Sequence, residues 1–269
     1  MRDNHVKRRL RAGDACVGTI IFEFGTSGIA RAAAAAGADF LFFDQEHTGW
    51  TSDVLRMLLA TTRAVESVPI VRVPATQYHM ISQALDLGAM GIVVPMVETV
   101  EQGQVIVRSA KYPPAGRRGA AFGVAHDDYL GGDVLTKMTS ANEETMLVAQ
   151  IETVTGLENV ERIAAIPGID VVWLGHFDLT ASMGIPGQFG DPRYVAAVER
   201  IGAAAAAAGK AAGFMVSSVD EAAFMLQKGF RCLAYWGDIW IYGQALRGGI
   251  EATRKAAAAV AAGAARGCS

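Results

Sequence analysis

The chain has 269 residues, 51% of them hydrophobic and 19% charged, enough core-forming material for one large or two small domains and too apolar for a disordered chain. Its 24 Lys and Arg against 27 Asp and Glu leave a net charge of −3. The basic residues are scattered, which excludes nucleic acid as the main partner, because a phosphate-binding face needs a concentrated basic patch.

In chain order, short apolar runs alternate with helix-period segments. The runs are 17–22, 40–43, 70–73, 92–94, 147–151, 171–174, 212–216 and 232–235. Helical stretches fall between them, among them 52–65, 78–87, 100–110, 155–165 and 219–227. Continuous rather than alternating apolar runs indicate strands buried on both faces, as in a parallel sheet. The junctions Ala36-Gly37-Ala38-Asp39, Leu87-Gly88-Ala89, Pro167-Gly168-Ile169-Asp170 and Lys228-Gly229-Phe230 each place a glycine where a helix should stop and a strand begin.

Eight such units in a chain of this size predict a single (β/α)8 TIM barrel spanning residues 1–269. The rival, a doubly wound open sheet, lacks support. The first strand is followed by Glu23-Phe24-Gly25-Thr26-Ser27-Gly28, which is no dinucleotide fingerprint, and no phosphate loop occurs elsewhere. Two segments exceed the bare repeat. One is an insertion at 111–142, read as a structureless, lid-like loop; the other is a C-terminal helical extension at 237–265.

Three widely spaced cysteines, Cys16, Cys232 and Cys268, make neither a disulfide framework nor a zinc knuckle, so a reducing cytoplasm is expected. The basic start, Met1 to Arg11, is followed by no apolar block of a signal peptide. The Ala-rich stretch 201–216 is interrupted by Lys210 and too weakly apolar for a bilayer, so no membrane partner is expected.

Barrel chemistry sits at the C-terminal ends of the strands. Those ends carry Asp44-Gln45-Glu46-His47, Arg72, Gln150-Ile151-Glu152-Thr153 and Gly175-His176-Phe177-Asp178. Glu152 and Asp178 offer two carboxylates to a hard divalent cation such as Mg2+ or Mn2+, whose remaining positions an α-keto acid could fill; the alternative is that they cap helices. His47 has the residue type of a general base, or is a hydrogen-bonded histidine without a catalytic role. Arg72 inside a strand needs an anion, either a substrate oxyanion or a structural partner such as Glu46 or Glu152. No lysine sits at a strand end, which disfavours a Schiff-base mechanism.

These residues carry a resemblance. Asp44-x-Glu46-His47, Arg72, Val94-Pro95-Met96-Val97, Lys111-Tyr112-Pro113-Pro114-Ala115-Gly116-x-Arg118-Gly119, Gln150-Ile151-Glu152-Thr153 and Gly175-x-x-Asp178-Leu179 occur in order over roughly 17–245. The chain resembles the HpcH/HpaI family of class II, metal-dependent pyruvate aldolases, within the phosphoenolpyruvate/pyruvate barrel superfamily. The resemblance implies reversible cleavage of a 4-hydroxy-2-keto acid to pyruvate and an aldehyde, with Mg2+, Mn2+ or Co2+ held by Glu152 and Asp178.

It further implies that Arg72 binds the ketone oxygen, that His47 acts through a water as base, and that Asp86 pairs with His47 of an adjacent subunit. Gln150 would contact the keto acid, and the backbone of Gly175, His176 and Phe177 would hold its carboxylate. A homohexamer, a trimer of dimers exchanging the last helix, is the implied assembly. Other readings are an oxaloacetate decarboxylase, a CoA-ester lyase (for which only Arg117-Arg118 could meet the phosphates) or a non-catalytic barrel. One departure stands out: family members carry Pro and a small residue where this chain has His176 and Phe177, which either reshapes the pocket or turns outward.

Overall fold

In a computed structural model, which describes residues 2–267, the eight strands close into one parallel barrel in sequential order. They are β1 (Cys16–Ile21), β2 (Phe40–Asp44), β3 (Val68–Arg72), β4 (Gly91–Val94), β5 (Met146–Ile151), β6 (Val171–Leu174), β7 (Ala211–Val216) and β8 (Phe230–Gly237). Closure comes from β1 pairing with β8, Cys16 opposite Cys232 and Val17 opposite Leu233. Both cysteines are buried and reduced, whereas Cys268 lies outside the described residues. Among the described residues no helix is long and apolar enough to cross a membrane.

The helices are α1 (His5–Ala12), α2 (Ile29–Ala35), α3 (Ser52–Thr61), α4 (Tyr78–Asp86), α5 (Val100–Ala110), α6 (Val134–Glu144), α7 (Val154–Glu158), α8 (Val160–Ala164), α9 (His176–Ser182), α10 (Pro192–Ala207), α11 (Val219–Gln227) and α12 (Asp238–Gly267). The glycines before β2, β4 and β8, and Gly168 before β6, have φ of +89°, +112°, +85° and +101°, the left-handed stop that their position suggests. The helix expected over 155–165 is instead two short ones. Asn159 donates from its side chain to the carbonyls of Glu98 and Thr155, at 2.9 and 3.1 Å, competing with the helical ladder at the break.

Strand parity sorts the core. Leu41, Phe43, Val71, Leu147 and Ala149 face the helices, whereas Phe40, Phe42, Val68, Ile70, Val148 and Trp173 fill the barrel. Side chains alternate along a strand, so the next inward positions above this filling are Asp44, Arg72 and Gln150, and then Glu152 just past β5. The charges that interrupt the apolar runs therefore form the top layer of the barrel interior.

Beneath the barrel lies α1, a helix the composition of residues 1–11 did not suggest. Asn4 caps it through Lys7 N–H at 3.0 Å, and Val6 and Leu10 complete the barrel's interior cluster from below. The insertion is more ordered than a structureless loop. It contains α6, and its two ends are tied by Lys111, which donates to the carbonyls of Asn142 (2.5 Å) and Thr145 (2.9 Å), and by Tyr112 N–H bonded to the Asn142 side chain (2.7 Å). These two polar clamps over 30-odd residues, of which only the Tyr112–Asn142 one is reciprocal, replace the hydrophobic periodicity that would have announced it. The last helix, α12, packs on β1 and β8 only at its root; residues 244–263 are exposed along their whole length.

Candidate active site

At the C-terminal ends of the strands a cavity of about 520 Å3 opens, lined by His47, Arg72, Gln150, Glu152, Gly175, His176, Phe177 and Asp178 together with apolar side chains of β1, β2, β6, β7 and α12. Eight of the nine residues singled out from the sequence thus share one space. Asp86 does not. It ends α4 and borders a separate cavity of about 540 Å3 with His79 and Gln83, where its carboxylate accepts from Arg118 at 2.5 Å.

Arg72 is 8% exposed. Its Nε donates to Asp44 Oδ1 at 2.6 Å and lies 3.1 Å from Glu46 Oε2, and its guanidinium stands 5.6 Å from the Phe42 ring centre. Burial opposes the charge, but the Asp44 hydrogen bond and the carboxylates of Asp44, Glu46 and Glu152 outweigh it and raise the pKa further. Asp44 is the residue that sequence reasoning underrated. It is fully buried, pairs with Arg72 in the β2–β3 register, and accepts from the backbone N–H of Glu46 (3.1 Å) and His47 (3.0 Å). One carboxylate therefore orients both the arginine and the loop that presents His47. The aspartate's inward parity was the available signal.

Glu152, 2% exposed, accepts from Met96 N–H at 2.6 Å and from Gln150 Nε2 at 2.5 Å. Met96 holds φ = +54°, an unfavourable conformation for a residue with a side chain, and that turn aims its amide at the carboxylate. Burial pushes Glu152 up to about 7, with the charges of Glu46 and Asp178 acting in the same direction and the two hydrogen bonds opposing. Glu46 is likewise pushed up to about 6, chiefly by burial. A Cβ on Gly175 would run into the Glu152 carboxylate, so only glycine lets β6 approach so closely.

Mutually repelling carboxylates are what a cation relieves. Buried Gln150 Oε1 lacks a hydrogen-bond partner and Glu46 Oε2 has the Arg72 ion pair but no hydrogen bond, so the donor set is all oxygen and incompletely satisfied, which suits a hard divalent ion. Among the described residues no three His, Cys, Asp or Glu side chains converge at ligand distance. Glu152 and Asp178 would thus supply a minority of the ligands, the rest coming from small-molecule oxygens.

His47 is exposed at the mouth, its Nε2 3.6 Å from Glu46 Oε2. His176 and Phe177 turn toward the cavity rather than away from it. The His176 ring lies 4.4 Å from Phe177, 4.9 Å from Phe214 and 5.3 Å from Phe189, and burial lowers its pKa to about 4, leaving it neutral. The Gly175 N–H is bonded to the Ile151 carbonyl at 3.0 Å. The free amides next to it are those of the first turn of α9, which have no acceptor within their own helix.

The lysine whose pKa is most depressed, Lys111, pushed down to about 7 by burial, bonds Thr145 just below β5, at the far end of the barrel. It cannot reach the cavity to form a Schiff base.

Comparison with known proteins agrees over most of the chain. Residues 24–238 match the HpcH/HpaI aldolase/citrate lyase family. A 2-keto-3-deoxy-L-rhamnonate aldolase of Klebsiella pneumoniae subsp. pneumoniae is 37% identical over 243 residues, 90% of each chain. A hydroxypyruvate/pyruvate aldolase of Cupriavidus necator is 37% identical over 255 residues, 91% of this chain and 90% of its own. The crystal structure of an HpcH/HpaI aldolase from Desulfitobacterium hafniense superposes with a TM-score of 0.88 at 29% identity, covering 93% of this chain and 96% of that one.

Proposed function

The chain belongs to the HpcH/HpaI aldolase/citrate lyase family, and from that premise we propose that it is a class II pyruvate aldolase that reversibly cleaves a 4-hydroxy-2-keto acid of the 2-keto-3-deoxy type into pyruvate and an aldehyde. The observation that carries the reading is Arg72: a buried guanidinium, clamped by Asp44 and Glu46, faces the same cavity as the repelling pair Glu152 and Asp178.

Glu152 and Asp178 hold the divalent cation, Mg2+, Mn2+ or Co2+, which when bound supplies Lewis-acid polarisation of the keto acid. Gln150, fixed to Glu152, presents its unpartnered Oε1 beside them. The keto-acid carboxylate lies against the backbone of Gly175, His176 and Phe177, with the amides after Gly175 as donors. Arg72 donates to the ketone oxygen as negative charge grows there during C–C cleavage, a preorganised contact because its other side is already anchored. His47 at the mouth takes the hydroxyl proton of C4 through a water, and returns it in the synthetic direction.

The same reading extends to assembly. Asp86 is separated from His47 within one chain and reaches a neighbour's His47 in a homohexamer built as a trimer of dimers. An apolar groove of about 630 Å3 beside the root of α12, lined by Ile21, Phe24, Ile29, Ala33, Ile241 and Tyr242, supports exchange of that helix: most of α12 leaves its own barrel and exposes Leu246, Ile250 and Val260.

Lactate-dehydrogenase-coupled pyruvate release from a panel of 4-hydroxy-2-keto acids tests the function. Cleavage should vanish with EDTA and return with Mg2+, Mn2+ or Co2+; EDTA-insensitive cleavage removes the metal role.

A further inference from the structure

The cavity is divided chemically. Its charged side chains come from the ends of β2, β3 and β5, and from Asp178. The remaining wall, from β6 and β7 across α12 to β1, is formed by neutral His176 with Phe177, Met215, Trp240, Phe22 and Ile20. These aromatics are organised in contact groups. His176 stacks on Phe177 at 4.4 Å, Phe177 meets Phe189 edge-on at 5.3 Å and 76°, and Phe22 packs on Trp240 at 4.8 Å. Asp238 fixes the second group, accepting from the backbone N–H of Phe22 (2.9 Å) and Phe24 (2.7 Å) and thereby joining the end of β1 to the start of α12.

Despite this packing, the lining residues Phe177 and Trp240 remain 59% and 41% exposed. Apart from the His176 imidazole and indole N–H groups, this wall offers no side-chain donor or acceptor. A polyhydroxylated aldehyde docked there would leave hydroxyls unpaired, at a cost of about tenfold in binding for each. A planar apolar group would instead complete the ring contacts.

Resting on the aldolase reading, we propose that the acceptor half of the substrate is an aromatic aldehyde, held between the His176–Phe177 pair, which Phe189 backs from behind, and the Phe22–Trp240 pair. In the synthetic direction the pyruvate methyl loses a proton, its carbon bonds to the aldehyde carbon, and the aldehyde oxygen takes up a proton from the base. The product is a 4-aryl-4-hydroxy-2-ketobutanoate, and no oxidant or reductant enters.

The test uses the full chain with Mn2+, pyruvate and either benzaldehyde or glyceraldehyde, alongside pyruvate methyl-proton exchange in D2O, which requires no aldehyde. The wild type should favour benzaldehyde in kcat/KM by about tenfold or more. Phe177→Ala, at an exposed position, should cut the benzaldehyde value about tenfold and the glyceraldehyde value about twofold or less, and Phe177→Tyr should retain the preference. Exchange without any aromatic preference, or a preference that Phe177→Ala leaves intact, overturns the aromatic subsite while sparing the aldolase reading. A change in oligomeric state without a change in preference overturns it too, and assigns Phe177 to a neighbouring copy. Absence of exchange removes both readings together.

Discussion

Each end of the barrel buries a cluster of charge, and the two clusters differ in sign and in the space around them. At the top, Asp44, Glu46 and Glu152 outnumber Arg72 and border a cavity of about 520 Å3. At the bottom, buried Lys7 and Lys111, joined by the exposed Arg11, outnumber Asp170, and the neighbouring void measures only about 40 Å3. The bottom is also better satisfied: Lys7 donates to Thr145 at 2.6 Å and pairs with Asp170 at 3.3 Å, and Lys111 has two carbonyls. The top keeps an unpartnered oxygen on Gln150. Buried charge alone therefore does not mark function. Buried charge with unmet hydrogen-bonding capacity and room beside it does.

The largest effect that could break this contrast is on turnover at the top. Arg72→Ala should lower kcat about 10²–10³-fold, equivalent to about 2.7–4 kcal/mol of lost oxyanion stabilisation. It should also lower the melting temperature, because Asp44 is left buried without its cation. Arg72→Lys keeps a cation there and should recover melting more than turnover. Unchanged kcat in Arg72→Ala would contradict the assignment.

The two clusters should next be separable by pH. The folded state raises Glu152 from 4.5 to about 7, so it binds that proton more tightly than the unfolded chain does, and stability falls as pH rises from about 4.5 to about 7. The folded state lowers Lys111 from 10.5 to about 7, so the unfolded chain binds that proton more tightly, and stability rises from about pH 7 to about 10.5. In cation-free protein these two contributions should be separable by comparing each variant with wild type on either side of neutrality. Glu46, raised to about 6, adds to the fall below pH 7 and His176, lowered to about 4, opposes it, so Glu152→Gln should remove only the share of Glu152, at most about 3 kcal/mol. Mn2+ should abolish it as well, by favouring the ionised carboxylate. A wild-type profile from pH 5 to 9 that Glu152→Gln and Lys111→Met both leave unchanged in shape would show that neither group is so strained.

A smaller change probes the close approach at the top. Gly175→Ala should displace the Glu152 carboxylate at a cost of about 1–3 kcal/mol and weaken Mn2+ binding, read by calorimetry, while far-UV circular dichroism stays native. Unaltered Mn2+ affinity would move the cation elsewhere.

The smallest effect belongs to the bottom. Lys111→Met strips its donor from the Asn142 carbonyl, while Thr145 keeps Lys7, and it removes a buried charge, so stability at pH 7 should fall by about 1–2 kcal/mol and kcat should stay within about twofold. A large loss of turnover would mean that the lower cluster communicates with the site.

Most of the barrel was legible locally. Apolar runs, helix-period segments and pre-strand glycines each reflect neighbours a few residues apart, and the strand-end positions of Arg72, Gln150, Glu152 and Asp178 follow once the barrel is granted. The insertion was less legible, since α6 is held by Lys111 and the Asn142 amide rather than by a strong apolar face. The role of α1 was hidden for a similar reason: its basic residues advertise a solvated segment, yet Val6 and Leu10 plug the barrel and Lys7 is 4% exposed.

The sequence by itself determined the eight strands, their burial on both faces and the identity of the charges at their ends, because these depend on side-chain type and on periods of two and 3.6 residues. Tertiary structure alone decided which of those charges meet. Asp44 faces Arg72 because β2 and β3 pair in that register, and Met96 reaches Glu152 because β4 lies beside β5. His176 and Phe177 became part of a wall only when α12 brought Trp240 to the same cavity from more than 60 residues away. Barrel closure sets such distances, and no local period of a chain records them.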